Sequence, residues 1–125
     1  MLLLLFWSLS LVAANKPSPV TGTWEGESLC TVPDSPCHNE HVIYEIAPDP
    51  NAGGKLKIDA YKIVNGEKQF MGALGCTFDD AKNVLSCNYR ADDDWTFVLN
   101  GDRLTGELHI RQERLLYRKI DLHRK

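Results

Sequence analysis

Short segments of alternating apolar and polar residues fill most of the chain after residue 21, and polar turns separate them. Alternation with a period of two predicts strands that bury one face, and no segment has the 3.6-residue period of a long helix. Eight strands are predicted, at residues 22–30, 41–47, 55–64, 68–78, 84–89, 94–99, 103–110 and 115–122.

The turns between these segments indicate how the strands connect. Asn65-Gly66 and Asn100-Gly101 are typical of two-residue hairpins, because both central positions need a positive φ. All six prolines lie outside the predicted strands. The pattern therefore predicts an all-β fold, an eight-stranded antiparallel up-and-down β-barrel in which the first and last strands pair.

An uncharged apolar run at residues 1–14 precedes the strands and is too short for an ordinary transmembrane helix. Val12 and Ala14 fit the small-residue positions of a signal-peptide cleavage site. We therefore predict a signal peptide at 1–14, an extended N-terminal segment at 15–21 and a single β-barrel domain at 22–125. The protein is expected to be secreted or periplasmic, with no membrane span after cleavage.

The four cysteines form an even set, which in an exported chain favours two disulfides. They are Cys30, Cys37, Cys76 and Cys87. Three pairings are possible. We favour Cys30 with Cys37 and Cys76 with Cys87, because each pair brackets one short connection and the alternation places Cys76 opposite Cys87.

Charge and motifs narrow the classes of function. The chain has 14 basic and 17 acidic residues, a net charge of -3, which disfavours nucleic acid as a partner. No nucleophile, phosphate-loop or dinucleotide motif occurs, so we expect no catalytic residues, no enzyme activity and no cofactor. A monomer is the default expectation.

His38-Asn39-Glu40-His41 contains residue types that bind zinc or copper. The spacing is not that of a helical metal motif, and alternation at the start of a strand would direct neighbouring side chains apart. We interpret the stretch as a solvated loop and predict no metal site, with His38 and His41 as the remaining candidates for one.

Both ends of the chain carry a family resemblance. Gly22-Thr23-Trp24 resembles the Gly-x-Trp signature in the first strand of the lipocalin and fatty-acid-binding (calycin) superfamily. Tyr117-Arg118 resembles the last-strand position of the arginine that covers this tryptophan. The resemblance implies a closed barrel end built by Trp24 and Arg118, in a small secreted lipocalin-like protein of the bacterial type.

Five aromatic residues on the predicted inward faces of the strands are tentative ligand contacts. They are Tyr44, Phe70, Tyr89, Trp95 and Phe97. Two interpretations stay open: these side chains line a cavity for a small hydrophobic ligand, or they fill the core. The resemblance favours a lipocalin-like binding protein.

The alternative function is a protein-binding module or an inhibitor of the protease or lysozyme type. It would act on an extracellular or periplasmic protein through the loop 30–37, which prolines and a disulfide would hold rigid.

Overall fold

The computed structural model describes residues 17–125. The eight strands within this range form a closed antiparallel barrel in which neighbours in sequence are neighbours in the sheet. They are β1 (Gly22–Cys30), β2 (Glu40–Pro48), β3 (Leu56–Val64), β4 (Glu67–Asp79), β5 (Val84–Asn88), β6 (Asp93–Asn100), β7 (Arg103–Ile110) and β8 (Leu115–Arg124). The predicted fold class is confirmed. The predicted signal peptide at 1–14 lies outside the described residues.

The barrel closes where β1 pairs with β8, with Gly26 opposite Leu122. A Cβ atom at Gly26 would overlap the main-chain carbonyl of Asp121, so the two strands approach too closely there for any larger residue. This glycine is therefore a requirement of the closing seam.

The core follows the alternation of the sequence. Inward-facing residues of all eight strands meet around Trp24, Tyr44 and Phe97, which are the largest fully buried side chains. Phe97 lies directly over Gly106 of β7, where a Cβ would overlap its ring. The absence of a side chain at Gly106 thus makes the space that Phe97 fills.

Trp24 lies at one end of the barrel, which we call the closed end. Its indole N–H donates to the carbonyl of Val20 at 2.9 Å, and Val20 is itself fully buried. Thr21 N–H donates to the Ser18 carbonyl at 3.0 Å, so the described part of the segment 15–21 makes a turn where an extended chain was predicted. This turn brings Val20 beneath the tryptophan.

Arg124, and not Arg118, covers Trp24. The Arg124 guanidinium carbon lies 4.3 Å from the centroid of the Trp24 ring, and the β1–β8 register pairs these two residues. The same register pairs Arg118 with Cys30. Arg118 therefore lies about 20 Å further along β8, at about 3.3 Å per residue. The assignment of Arg118 to the closed end was wrong because the β1–β8 register pairs Trp24 with Arg124, which lies two residues past the predicted end of this strand.

Both predicted disulfides are present. Cys30 and Cys37 have Cα atoms 6.0 Å apart and close the start of the loop between β1 and β2. Cys76 and Cys87 are directly opposite each other on β4 and β5, with Cα atoms 4.1 Å apart. Two disulfides are compatible with an oxidising compartment. Among the described residues, no helix is long and apolar enough to cross a membrane.

Candidate functional site

A small cavity lies in the barrel wall and interior where β5 ends. Its volume is about 170 Å³. The lining is almost entirely apolar and consists of Tyr44, Ala60, Met71, Gly72, Leu74, Tyr89 and Trp95. These residues lie toward the barrel end that carries loop 31–39, which we call the loop end. Trp24 does not line the cavity, but its cross-strand partner Tyr44 does.

Three of the five predicted ligand contacts line this cavity: Tyr44, Tyr89 and Trp95. Phe97 is fully buried and lies behind Tyr44, with the two rings edge to face and their centroids 6.2 Å apart. Phe97 thus supports the cavity wall and does not line it. Burial raises the pKa of Tyr44 well above its ordinary value, so its hydroxyl stays neutral.

Phe70 does not face the interior. Its side chain is 62% exposed and packs against Tyr61 on the outer face, with ring centroids 5.4 Å apart. The register of β3 and β4 shifts between Ala60 and Tyr61, which leaves Met71 as an extra residue in β4. This bulge reverses the alternation, so the prediction of Phe70 as a ligand contact was wrong.

Tyr89 follows the last residue of β5 and forms the rim of the cavity. Its side chain is 53% exposed, and its ring lies over Gly72, where an added Cβ would come within 3.1 Å of it. The Asp93 carboxylate accepts hydrogen bonds from the main-chain N–H groups of Tyr89 and Arg90 at 2.7 and 2.9 Å. A short polar turn therefore fixes the backbone of this rim residue.

Trp95 carries an unsatisfied polar atom in the wall of the cavity. Its indole N–H is buried and has no hydrogen-bond acceptor among the described residues. An unsatisfied buried donor costs about 1–3 kcal/mol, so the cavity wall is held by packing and not by hydrogen bonding at this point.

A polar cluster lies inside the barrel next to the cavity and was not predicted. Arg118 donates to the hydroxyl of Ser28 at 3.1 Å and to a carboxylate oxygen of Glu40 at 3.0 Å. The Arg118 and Glu40 side chains are only 12% and 21% exposed. The cluster connects β8, β1 and β2, and the carboxylate compensates the charge of the guanidinium. The alternation could have revealed this cluster. Glu40 lies two residues from the inward-facing Val42, and Arg118 lies two residues from the inward-facing Ile120, so both side chains belong to the inward face.

The loop 31–39 is tied to the barrel on both sides. Thr31 donates from its main chain to the Tyr117 carbonyl at 3.1 Å and from its hydroxyl to the Leu116 carbonyl at 2.6 Å. The side-chain oxygen of Asn39 accepts from the Cys30 N–H at 2.8 Å. With the Cys30–Cys37 bond, these contacts leave the outer part of the loop as a short, constrained surface.

The two histidines considered for metal binding are separate in the structure. His38 is exposed in the loop, whereas His41 lies on the outer face of β2 between Glu27 at 2.7 Å and Glu25 at 2.9 Å. Hydrogen bonds to the Glu27 carboxylate and then to the Glu25 carboxylate raise the pKa of His41. Over residues 17–125, no group of three or more His, Cys, Asp or Glu side chains is arranged to hold a metal ion.

Comparisons of the chain with protein-family models, with curated proteins and with solved structures found no match. The function is therefore inferred from the geometry and chemistry of the site.

Proposed function

We propose that this protein is a secreted or periplasmic, lipocalin-like binding protein that holds a small apolar molecule in the cavity beneath Tyr89. The observation that carries the proposal is the apolar cavity of about 170 Å³, with Tyr44, Trp95 and Met71 in its lining. Concave apolar sites with aromatic walls are the usual form of a small-molecule site. The Gly-x-Trp signature and the closed eight-stranded barrel support the lipocalin-like assignment.

The volume limits the ligand. Pockets for drug-sized molecules span about 300–1,000 Å³, whereas a cavity of about 150 Å³ lined by apolar side chains holds benzene. This cavity is close to the second value, so the ligand class is a compound of about one ring. A long acyl chain would have to extend out past Tyr89.

The lining also limits the charge of the ligand. Burying an ionised group without a compensating partner is costly, and the nearby guanidinium of Arg118 is already paired with Glu40. The ligand is therefore uncharged. Binding without catalysis is the role we propose.

Toluene is a suitable probe, with NMR as the readout. Met71 is the one methionine after residue 1, so its methyl signal reports on the cavity without overlap from another methionine. We expect toluene to shift the signals of the Met71 methyl and the Trp95 indole N–H, and not that of the Trp24 indole.

Ala60→Leu, which fills the cavity, should abolish these shifts. Ala47→Leu makes the same change on the outer face of β2 and should leave them intact. Shifts that persist in both variants, or no shifts in the wild type, would contradict the proposal.

A second candidate function is binding of an extracellular or periplasmic protein through loop 30–37, as an inhibitor of the protease or lysozyme type would do. The ties from Thr31 and Asn39 favour it, because a loop that is ordered before binding loses little entropy on association. Inhibition assays with lysozymes and serine proteases should compare the wild type with Cys30→Ser/Cys37→Ser. Equal inhibition by both proteins would exclude the loop as the binding element.

A further inference from the structure

The part of β4 nearest the loop end has a neighbouring strand on one side only. β5 contains only Val84–Asn88 and pairs with the last residues of β4, from Gly75 to Asp79. The preceding residues, Glu67–Leu74, pair with β3 on one side alone. We call this stretch the free edge. At about 3.3 Å per residue it is about 26 Å long.

The free edge presents unpaired main-chain groups. In an antiparallel sheet, alternate residues direct both N–H and C=O toward the same neighbouring strand, so every second residue here directs them away from β3. Within residues 17–125, no main-chain hydrogen bond outside the strand ladders involves any residue of Glu67–Leu74. Such a row of donors and acceptors is a template for pairing with another extended backbone, which would replace water along its length.

Apolar side chains concentrate at the same place. Five large hydrophobic residues are substantially exposed on the described chain, and three of them border the free edge: Phe70, Met71 and Tyr89. The stretch from Phe70 to Gly75 contains no ionisable residue. Lys68 lies near the start of the free edge, where its ammonium group forms a salt bridge with Glu45. The middle of the free edge therefore carries no charge and is suited to a partner segment that is also uncharged.

The cavity lies directly beneath the free edge. Met71, Gly72 and Leu74 line it from the β4 side, and Tyr89 and Trp95 line it from across the gap that β5 leaves. Because side chains of a strand alternate between the two faces, a strand added at this edge would direct every second side chain toward the cavity. One apolar side chain of about the size of leucine or phenylalanine fits a volume of about 170 Å³.

We propose that the free edge binds an extended, uncharged segment of another protein, which adds to β4 as a strand and places one apolar side chain in the cavity. Main-chain hydrogen bonds would supply affinity and the cavity would select the side chain. A second copy of this chain fits less well, since the inward side chains of its own β4 already line its own cavity. The proposal goes beyond small-ligand binding because it uses backbone groups that a single-ring compound cannot reach.

Selection of short random peptides by phage display, followed by NMR on the whole protein, tests the proposal. We expect the selected peptides to alternate, with leucine or phenylalanine at one inward position. Hydrogen exchange should then slow at alternate amides of Glu67–Leu74. A matched peptide with N-methyl groups on every second residue should bind at least about tenfold more weakly, because it cannot pair with the edge.

Ala60→Leu should weaken the selected peptide by about tenfold, as expected for a displaced apolar side chain, and Ala47→Leu should not. Selection of no peptide, protection confined to loop 31–39 or equal binding of the N-methylated peptide would overturn the proposal. If toluene enters the cavity but the edge amides stay unprotected, the small-ligand function stands and this proposal fails. Protection of the edge without toluene uptake supports strand addition and removes the small-ligand function.

Discussion

Arg124 lies over Trp24 with its guanidinium carbon 4.3 Å from the ring centroid. The same guanidinium donates to the carbonyls of Pro19 at 2.9 Å and Thr21 at 3.0 Å. One side chain of the last strand thus joins the first strand to the segment before it. The closed end of the barrel depends on this contact.

Trp24→Ala is expected to destabilise the protein by about 3–5 kcal/mol, because it truncates a fully buried aromatic side chain. Arg124→Ala should cost about 1–2 kcal/mol through loss of the stacking and of its hydrogen bonds to main-chain carbonyls. Urea unfolding measures both. Lys119→Ala, an exposed cation on the same strand, should stay within about 0.5 kcal/mol of the wild type. Equal effects of Arg124→Ala and Lys119→Ala would show that the stacking contributes nothing.

Gly26→Ala should cost at least about 2 kcal/mol, because its Cβ would overlap the Asp121 carbonyl and force β1 and β8 apart. Gly75→Ala is the matched control in β4, where an added Cβ meets no atom within 4 Å. We expect that control to be neutral or slightly stabilising. Chemical denaturation of the two variants checks the difference, and a tolerated alanine at Gly26 would mean that the seam is loosely packed.

The two disulfides should differ in their resistance to reduction. Cys76 and Cys87 are only 3% and 5% exposed, whereas Cys30 and Cys37 are partly exposed at the base of a loop. Thiolate attack needs access to the sulfur. Mild dithiothreitol treatment followed by alkylation and mass mapping should label Cys30 and Cys37 first, in native protein. Simultaneous labelling of all four would indicate that reduction requires global unfolding.

His41 should make stability depend on pH above its ordinary pKa of about 6.5. Its folded pKa is raised by hydrogen bonds to Glu27 and then Glu25, so its contribution is complete below the ordinary pKa of about 6.5 and is lost as the pH rises through the raised value. Glu25 has the opposite sign: its pKa is lowered chiefly by the hydrogen bond from His41, so its contribution is lost as the pH falls through that lowered value. The His41–Glu25 contact is therefore strongest between the two pKa values.

Urea midpoints of the wild type and His41→Gln, measured from about pH 6 to about pH 9, should converge as the pH rises. His38→Gln changes an exposed loop histidine and should keep the wild-type profile. A constant difference between His41→Gln and the wild type across this range would exclude the titration of His41 as its cause.

The sequence was sufficient to predict the strands, the barrel and the disulfides, because these depend on periodicity and turn chemistry. Alternation places Cys76 and Cys87 on the same face of adjacent strands, and the structure has them directly opposite. Periodicity and turn chemistry determine the pairing of two strands that are joined by a short turn, as β4 and β5 are.

The cavity could be predicted only in part, because a single extra residue changes which face a side chain occupies. The bulge at Met71 places Phe70 on the outer face of the barrel. In the local sequence only the glycine at Gly72 indicates a bulge, and in the structure this residue has a φ of +151°. Tyr89 is half outside for another reason, since β5 ends one residue before it. The length of β5 relative to β4 decides where the cavity and the free edge lie.

The partner of Trp24 depends on register between strands about 100 residues apart, which alternation does not determine. Arg118 and Arg124 share the inward parity of β8, so pattern alone cannot choose between them. The choice is made by the pairing of Trp24 with Arg124 across the closing seam.

That seam also sets the order in which the chain can fold. β1 obtains its second neighbour only from β8, so the first strand of the barrel to be synthesised stays unpaired on one side until the eighth has been made. Contacts of such long sequence separation slow folding, and the waiting edge of β1 is exposed to other chains meanwhile. The barrel therefore cannot close before β8 has been synthesised, and β1 keeps an unpaired edge until residues 115–124 are available.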